Sequence, residues 1–297
     1  MSVTHHTADV NGTRLHYVSA GASGSPILLV HGFPETWWAF HRLIPRLAAT
    51  HRVFAADLRG FGDSSAADDA YDSATAAGDL HGLIEHLGVG PVHVTGQDIA
   101  GGAVYRLVTG HPDDVLSLTA IELGLAGFGL EALADVTRGG SWHIGVLAAP
   151  GAPELLLAGR ERAFLGEWAF PGLTAVRGAI TDADVDEFTR SYARPDGWRG
   201  AAGLYRSMLA EGEEFRALAQ AHPVTAPVLA VGAGGGSFTA DTMRQLTRDD
   251  IATAQLDGVG HYAALEAPAA LASVLLDFLA SVDTGKHVVA RSAGLLG

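Results

Sequence analysis

The chain has 297 residues, 48% of them hydrophobic, which is enough for one large core or a core with an insert. A formal charge of −14 without a basic cluster excludes nucleic acid and anionic membrane surfaces as expected partners. The absence of cysteine excludes disulfides, a thiol nucleophile and thiolate metal sites.

In chain order, the first residues, Met1-Ser2-Val3-Thr4-His5-His6, lack the basic and apolar regions of a signal peptide. No apolar run reaches transmembrane length, so a soluble cytoplasmic protein is expected. His5 and His6 read as a solvated terminus. Residues 7–10 and 13–18 flank Asn11-Gly12 and predict a hairpin. Residues 27–30 read as a buried strand, 36–48 as a helix and 52–56 as a strand. Residues 73–87 read as an amphipathic helix, 92–95 as a strand, 99–109 as a helix and 115–121 as a strand. Strands alternating with helices predict a mostly parallel sheet covered on both faces.

The rhythm stops at about Leu123. Residues 123–222 lose strand signals and read as a helical insert of roughly 100 residues, within ordinary domain sizes. Strands return at 227–232 and 251–256, with helices at 238–246 and 265–279. The expected division is a first core part at 1–122, a helical cap at 123–222, a second core part at 223–283 and a tail at 284–297.

Four motifs stand out, three for their chemistry and one for structure. Gly96-Gln97-Asp98-Ile99-Ala100-Gly101 follows a strand and opens a helix. Small residues flank the central position because a tight strand–turn–helix elbow leaves no room beside it. An aspartate there predicts carboxylate attack on carbon and an enzyme ester. His31-Gly32-Phe33-Pro34 ends the first core strand and can aim the Phe33 N–H, with that of Ile99, at an oxyanion. Asp57-Leu58-Arg59-Gly60 reads as a structural loop tied down by Arg59. Gly258-Val259-Gly260-His261 places a loop histidine after the last strand, as a general base.

In combination these motifs resemble the α/β-hydrolase superfamily, and within it the epoxide hydrolases and dehalogenases. The resemblance runs from the hairpin to about Val282. It implies an eight-stranded, mostly parallel sheet flanked by helices, with a helical cap after the sixth strand. It also implies a triad acid after the strand that precedes or follows the cap. Glu122, directly after residues 119–121, is favoured over Asp241, because a carboxylate at a strand's C-terminal end faces the site. The cap stretch from Tyr192 to Arg206 and Ser141-Trp142-His143 resemble an epoxide hydrolase subgroup, which makes Tyr205 and His143 the expected oxygen donors. Trp38, Tyr192 and Trp142 are the expected substrate-pocket residues.

Departures narrow the chemistry. Haloalkane dehalogenases usually carry Trp after the nucleophile; here it is Ile99. Fluoroacetate dehalogenases carry arginines at the positions of Ile99 and Gly102, and Trp at that of Ile144. The expectation is therefore a neutral, hydrophobic epoxide as substrate, with water as co-substrate and neither metal nor organic cofactor. A dehalogenase and a non-catalytic small-molecule receptor or interaction module are the alternatives. The sequence is compatible with a homodimer. Glu35 reads as an acid favouring a helix dipole, and Gly232 to Gly236 as a flexible loop without a phosphate-binding Lys. Asp63, Asp68, Asp69 and Asp72 read as a solvated loop cluster. His81 and His86 have the wrong spacing for a zinc-binding pair on a helix.

Overall fold

In a computed structural model, residues 3–67 and 70–285 are described. The expected tail beyond Gly285, with Asp68 and Asp69, lies outside the described residues. Eight strands form one sheet in the order β1-β2-β4-β3-β5-β6-β7-β8. They are β1 (Thr4–Val10), β2 (Thr13–Ala20), β3 (Pro26–Val30), β4 (Arg52–Ala56), β5 (Val92–Gln97), β6 (Val115–Ile121), β7 (Val228–Gly232) and β8 (Ala252–Gln255). The β1/β2 and β2/β4 pairings are antiparallel; the others are parallel.

The hairpin forms because Asn11 and Gly12 both accept positive φ, 44° and 72°, the twist a two-residue turn requires. β1 begins earlier than the sequence pattern suggested. His5 and His6 are strand residues bonded across to His16 and Ser19, not a free terminus. β3, β5 and β7 are buried along their whole length, as parallel strands covered on both faces must be.

Helices α1 (Ser73–Leu87) and α2 (Gly101–Gly110) pack together beside the sheet, and α1 is capped by the Asp72 side chain accepting from Thr75 N. The expected helix at 36–48 is instead a 3₁₀ turn, Trp37–Phe40, and a short helix, Ile44–Leu47, with Pro45 in its first turn. Between β6 and β7 the chain forms helices and turns, with one isolated bridge from Val224 to Thr247. They include α3 (Trp142–Ala148), α4 (Asp182–Tyr192), α5 (Arg199–Ala210) and α6 (Gly212–Ala221). After β7 comes α7 (Phe238–Leu246). The expected last helix is split: Pro268 disfavours helical backbone at Ala267, so a turn at Ala263–Glu266 precedes α8 (Pro268–Asp283).

Two buried acids fix the loops at the sheet's C-terminal edge. Asp79 of α1 pairs with Arg59, which also donates to Asn11 O and Ala70 O. Asp57 accepts from Trp37 N, Asp63 N and the His16 ring. Arg59 thus holds its loop as the sequence suggested.

Candidate active site

β3 is flanked by β4 on one side and β5 on the other, so the chain reverses its winding there and leaves a crevice at the strands' C-terminal ends. His31-Gly32-Phe33 leaves β3 into this crevice, and Asp98 follows β5 into it. Asp98 has φ +50°, the left-handed backbone of a sharp elbow that thrusts its carboxylate outward. The Phe33 N–H donates to Asp98 Oδ2 at 2.8 Å. His31 holds this turn in shape: Nδ1 donates to Gly32 O, and Nε2 accepts from Leu58 N. Gly32 is required by proximity, because a Cβ there would lie 2.6 Å from the Asp98 Cβ. Burial pushes the Asp98 carboxyl up, but His261 and the N–H groups of Phe33 and Ile99 outweigh it, and the group ends below the usual range.

His261 Nε2 lies 3.6 Å from Asp98 Oδ1, and Nδ1 lies 3.3 Å from Glu122 Oε2. Burial alone would lower the imidazole. Hydrogen bonds and charge from Asp98 and Glu122 reverse this and raise it to about 10. Glu122, with φ +46°, is held by Ala233 N on Oε1 at 2.6 Å and Gly235 N on Oε2 at 2.8 Å. The glycine-rich stretch 232–236, expected to be a flexible loop, therefore cradles this carboxylate. Asp241 sits on the exposed face of α7, bonded to Ser237 and Arg244.

The helical insert supplies the opposite wall. His143 Nε2 is 3.2 Å from the Tyr205 hydroxyl, and Ser141 Oγ is 2.5 Å from His143 Nδ1. Burial lowers His143 to about 4, so it is neutral at physiological pH, and raises the Tyr205 hydroxyl well above its ordinary value. The Phe33 ring lies beneath both, stacked on His143 and edge-on to Tyr205. One cavity of about 480 Å³ joins Asp98, Glu122, His261, His143 and Tyr205, and its lining contains no arginine or lysine.

Of the three expected pocket residues, Trp142 lines the cavity; Trp38 and Tyr192 are not among its lining. The Trp38 indole donates to Asp184 Oδ1 of α4 and stacks on His41, so it clasps the insert to the core. Tyr192 is buried behind Phe33, edge-on to its ring.

Comparison with known proteins agrees with this architecture. Residues 25–268 match the family model of the alpha/beta hydrolase fold. The chain belongs to the α/β-hydrolase family. A soluble epoxide hydrolase of Corynebacterium sp. (strain C12) is 29% identical, with 94% of this chain and 98% of the relative aligned. A fluoroacetate dehalogenase of Burkholderia sp. is also 29% identical, over 95% of this chain and 96% of its own. The solved structure of wild-type Cfl2 from Burkholderia cenocepacia superposes with a TM-score of 0.86 at 32% identity, covering 94% of this chain and 96% of that one. The protein is thus a hydrolase, and among its described residues no helix is long and apolar enough to cross a membrane.

Three features of this α/β-hydrolase escape sequence reasoning. Glu35 is fully buried and starts no helix; its Oε2 accepts from Gly32 N and Gln97 Nε2, and its Oε1 has no partner. Burial raises it from 4.5 to about 8. Glu266 accepts from Gly260 N and Tyr262 N beside His261, and from Ala175 N and Val176 N of the insert. Trp168 lines the cavity from a π-helical turn at Phe164–Ala169, 5.4 Å ring to ring from His143. An acid two residues after His31-Gly32-Phe33 and another five after His261 were the available signals. Neither shows its burial in the sequence.

Proposed function

We propose that the protein hydrolyses a neutral, largely apolar epoxide to a vicinal diol through an ester on Asp98. The observation that carries this reading is the cavity itself. It is lined by the Asp98 carboxylate and by the neutral Tyr205 and His143, with no arginine or lysine to hold an anionic substrate. At Gly102, where the fluoroacetate dehalogenase resemblance would place an arginine, Ser73 and Phe215 occupy the space; a Cβ would lie 2.9 and 3.1 Å from them.

Asp98 Oδ1 attacks a ring carbon, the C–O bond opens, and the emerging alkoxide is stabilised by Tyr205 and His143. Ser141 Oγ donating to His143 Nδ1 leaves Nε2–H to point at that oxygen. Oδ2 becomes the ester carbonyl, already seated on the Phe33 N–H. Esterification removes the Asp98 charge that keeps His261 protonated. The proton His261 then sheds balances the one taken up by the alkoxide. Neutral His261, oriented by Glu122, takes a proton from water, which attacks the ester carbonyl while Phe33 and Ile99 hold the oxyanion. The diol leaves and Asp98 returns as a carboxylate. The helical insert acts as the cap, with Trp142, Trp168 and Leu133 forming an apolar wall. No step needs a metal or an organic cofactor.

Single turnover in ¹⁸O-water tests the route. The first diol should carry no ¹⁸O, and the label should appear in the peptide containing Asp98. Label in the first diol would mean direct attack by water. Halide release from haloalkanes and haloacids, measured in parallel, decides against a dehalogenase if it stays far below epoxide turnover.

A further inference from the structure

The fold assembles a second constellation at the opposite end of the sheet. His81 lies on α1, His111 caps the C-terminus of α2, and Asp114 closes the 3₁₀ turn Pro112–Asp114 that leads into β6. Their side-chain ligand atoms all lie within 4.8 Å of one another, and all three residues are half-buried, within reach of dissolved ions. The imidazoles of His81 and His111 stack with centroids 3.8 Å apart and planes 17° apart. His81 Nδ1 is 2.6 Å from Asp114 Oδ2, and Glu85 Oε2 lies 3.8 Å from His81 Nε2. The ten-residue helix α2 separates this cluster from the Asp98 elbow by about 15 Å.

We infer that His81, His111 and Asp114 bind one zinc-class divalent cation that staples α1 to the α2–β6 connection. Two imidazoles and a carboxylate are a donor set for Zn²⁺, Ni²⁺ or Cu²⁺; Mg²⁺ and Ca²⁺ prefer oxygen ligands alone. Zinc bonds of about 2.0–2.1 Å in a tetrahedron put neighbouring donors roughly 3.3 Å apart. Binding therefore turns the two imidazoles out of their stacked arrangement, so that one nitrogen of each points at the same ion. Water completes the coordination. The chain's charge of −14 raises the local concentration of cations. The site is structural, since it shares no residue with the catalytic cavity. On α1 alone, His81 and His86 are misplaced for zinc; the partners come from 30 residues downstream, which only the packing of α1 on α2 brings near.

Calorimetric titration of tag-free full-length protein with Zn²⁺ tests the site, with Mg²⁺ as control. Wild type should bind one equivalent that His111→Ala loses or binds roughly tenfold or more weakly. Zinc should raise the melting temperature of wild type and not of the variant, while zinc-free epoxide turnover stays the same in both. Asp114→Asn, which preserves shape, should weaken zinc in the same direction and decides the matter if His111→Ala folds poorly. Zinc binding that is undetectable in wild type, unchanged by both substitutions, or matched by Mg²⁺ would overturn the inference.

Discussion

At the scale of residues, charge placement decides what each group can do. His261 is held near pKa 10 by two carboxylates, one of which is consumed in the proposed first step. Asp98→Asn should therefore abolish turnover, and His261→Gln should stop the reaction after ring opening. Intact-protein mass spectrometry should then show His261→Gln carrying one substrate mass, and the double variant carrying none. Glu35 gives a second prediction. Its folded pKa of about 8 lies above its ordinary 4.5, so the folded protein retains a proton that the unfolded chain has released. Stability linked to Glu35 is thus lost as pH rises from 4.5 to 8. Glu35→Gln removes that loss. Thermal melts should show it gaining on wild type with rising pH, by at least about 1 kcal/mol at pH 8. An advantage independent of pH would contradict a buried, proton-retaining carboxyl.

At the scale of elements, α5 must lie close enough to the core to place Tyr205 over Asp98. Small residues make this approach possible. A Cβ on Gly203 would lie 2.2 Å from the Tyr71 Cβ, a contact with no room to yield. Gly203→Ala should therefore lift α5 and move the Tyr205 hydroxyl, costing on the order of tenfold or more in kcat, since a displacement near 1 Å at a reacting centre has that effect. Far-ultraviolet circular dichroism should be unchanged, because the sheet does not depend on this contact. Glu266 works at the same scale: one carboxylate binds N–H groups from both the His261 loop and the insert, so the two share an anchor.

At the scale of the whole molecule, a chain of charge −14 repels anions over distances set by salt screening. A neutral substrate does not feel that field. kcat/KM for a neutral epoxide should stay within about twofold between 10 and 500 mM NaCl, over which the screening length falls several-fold. Any activity on haloacids should rise with salt. A salt-dependent rate for the neutral epoxide would point to a charged step in binding that the cavity does not show.

The sequence by itself determined the sheet, the elbow and the loop histidine. These depend on local pattern: buried runs of four to six residues, small residues flanking Asp98, and Asn11-Gly12 in a turn that needs positive φ. Glu122 could also be placed, because it directly follows a readable strand. The tertiary structure alone decided what lies between distant segments. Trp38 reads as a pocket residue until Asp184, 146 positions later, takes its indole N–H. Gly232 to Gly236 reads as flexible until its N–H groups meet Glu122, more than 100 positions earlier. Glu35 reads as an acid favouring a helix dipole until Gln97 and Gly32 enclose it. Pattern follows from backbone geometry within a few residues, whereas burial and partner choice follow from packing across the whole chain.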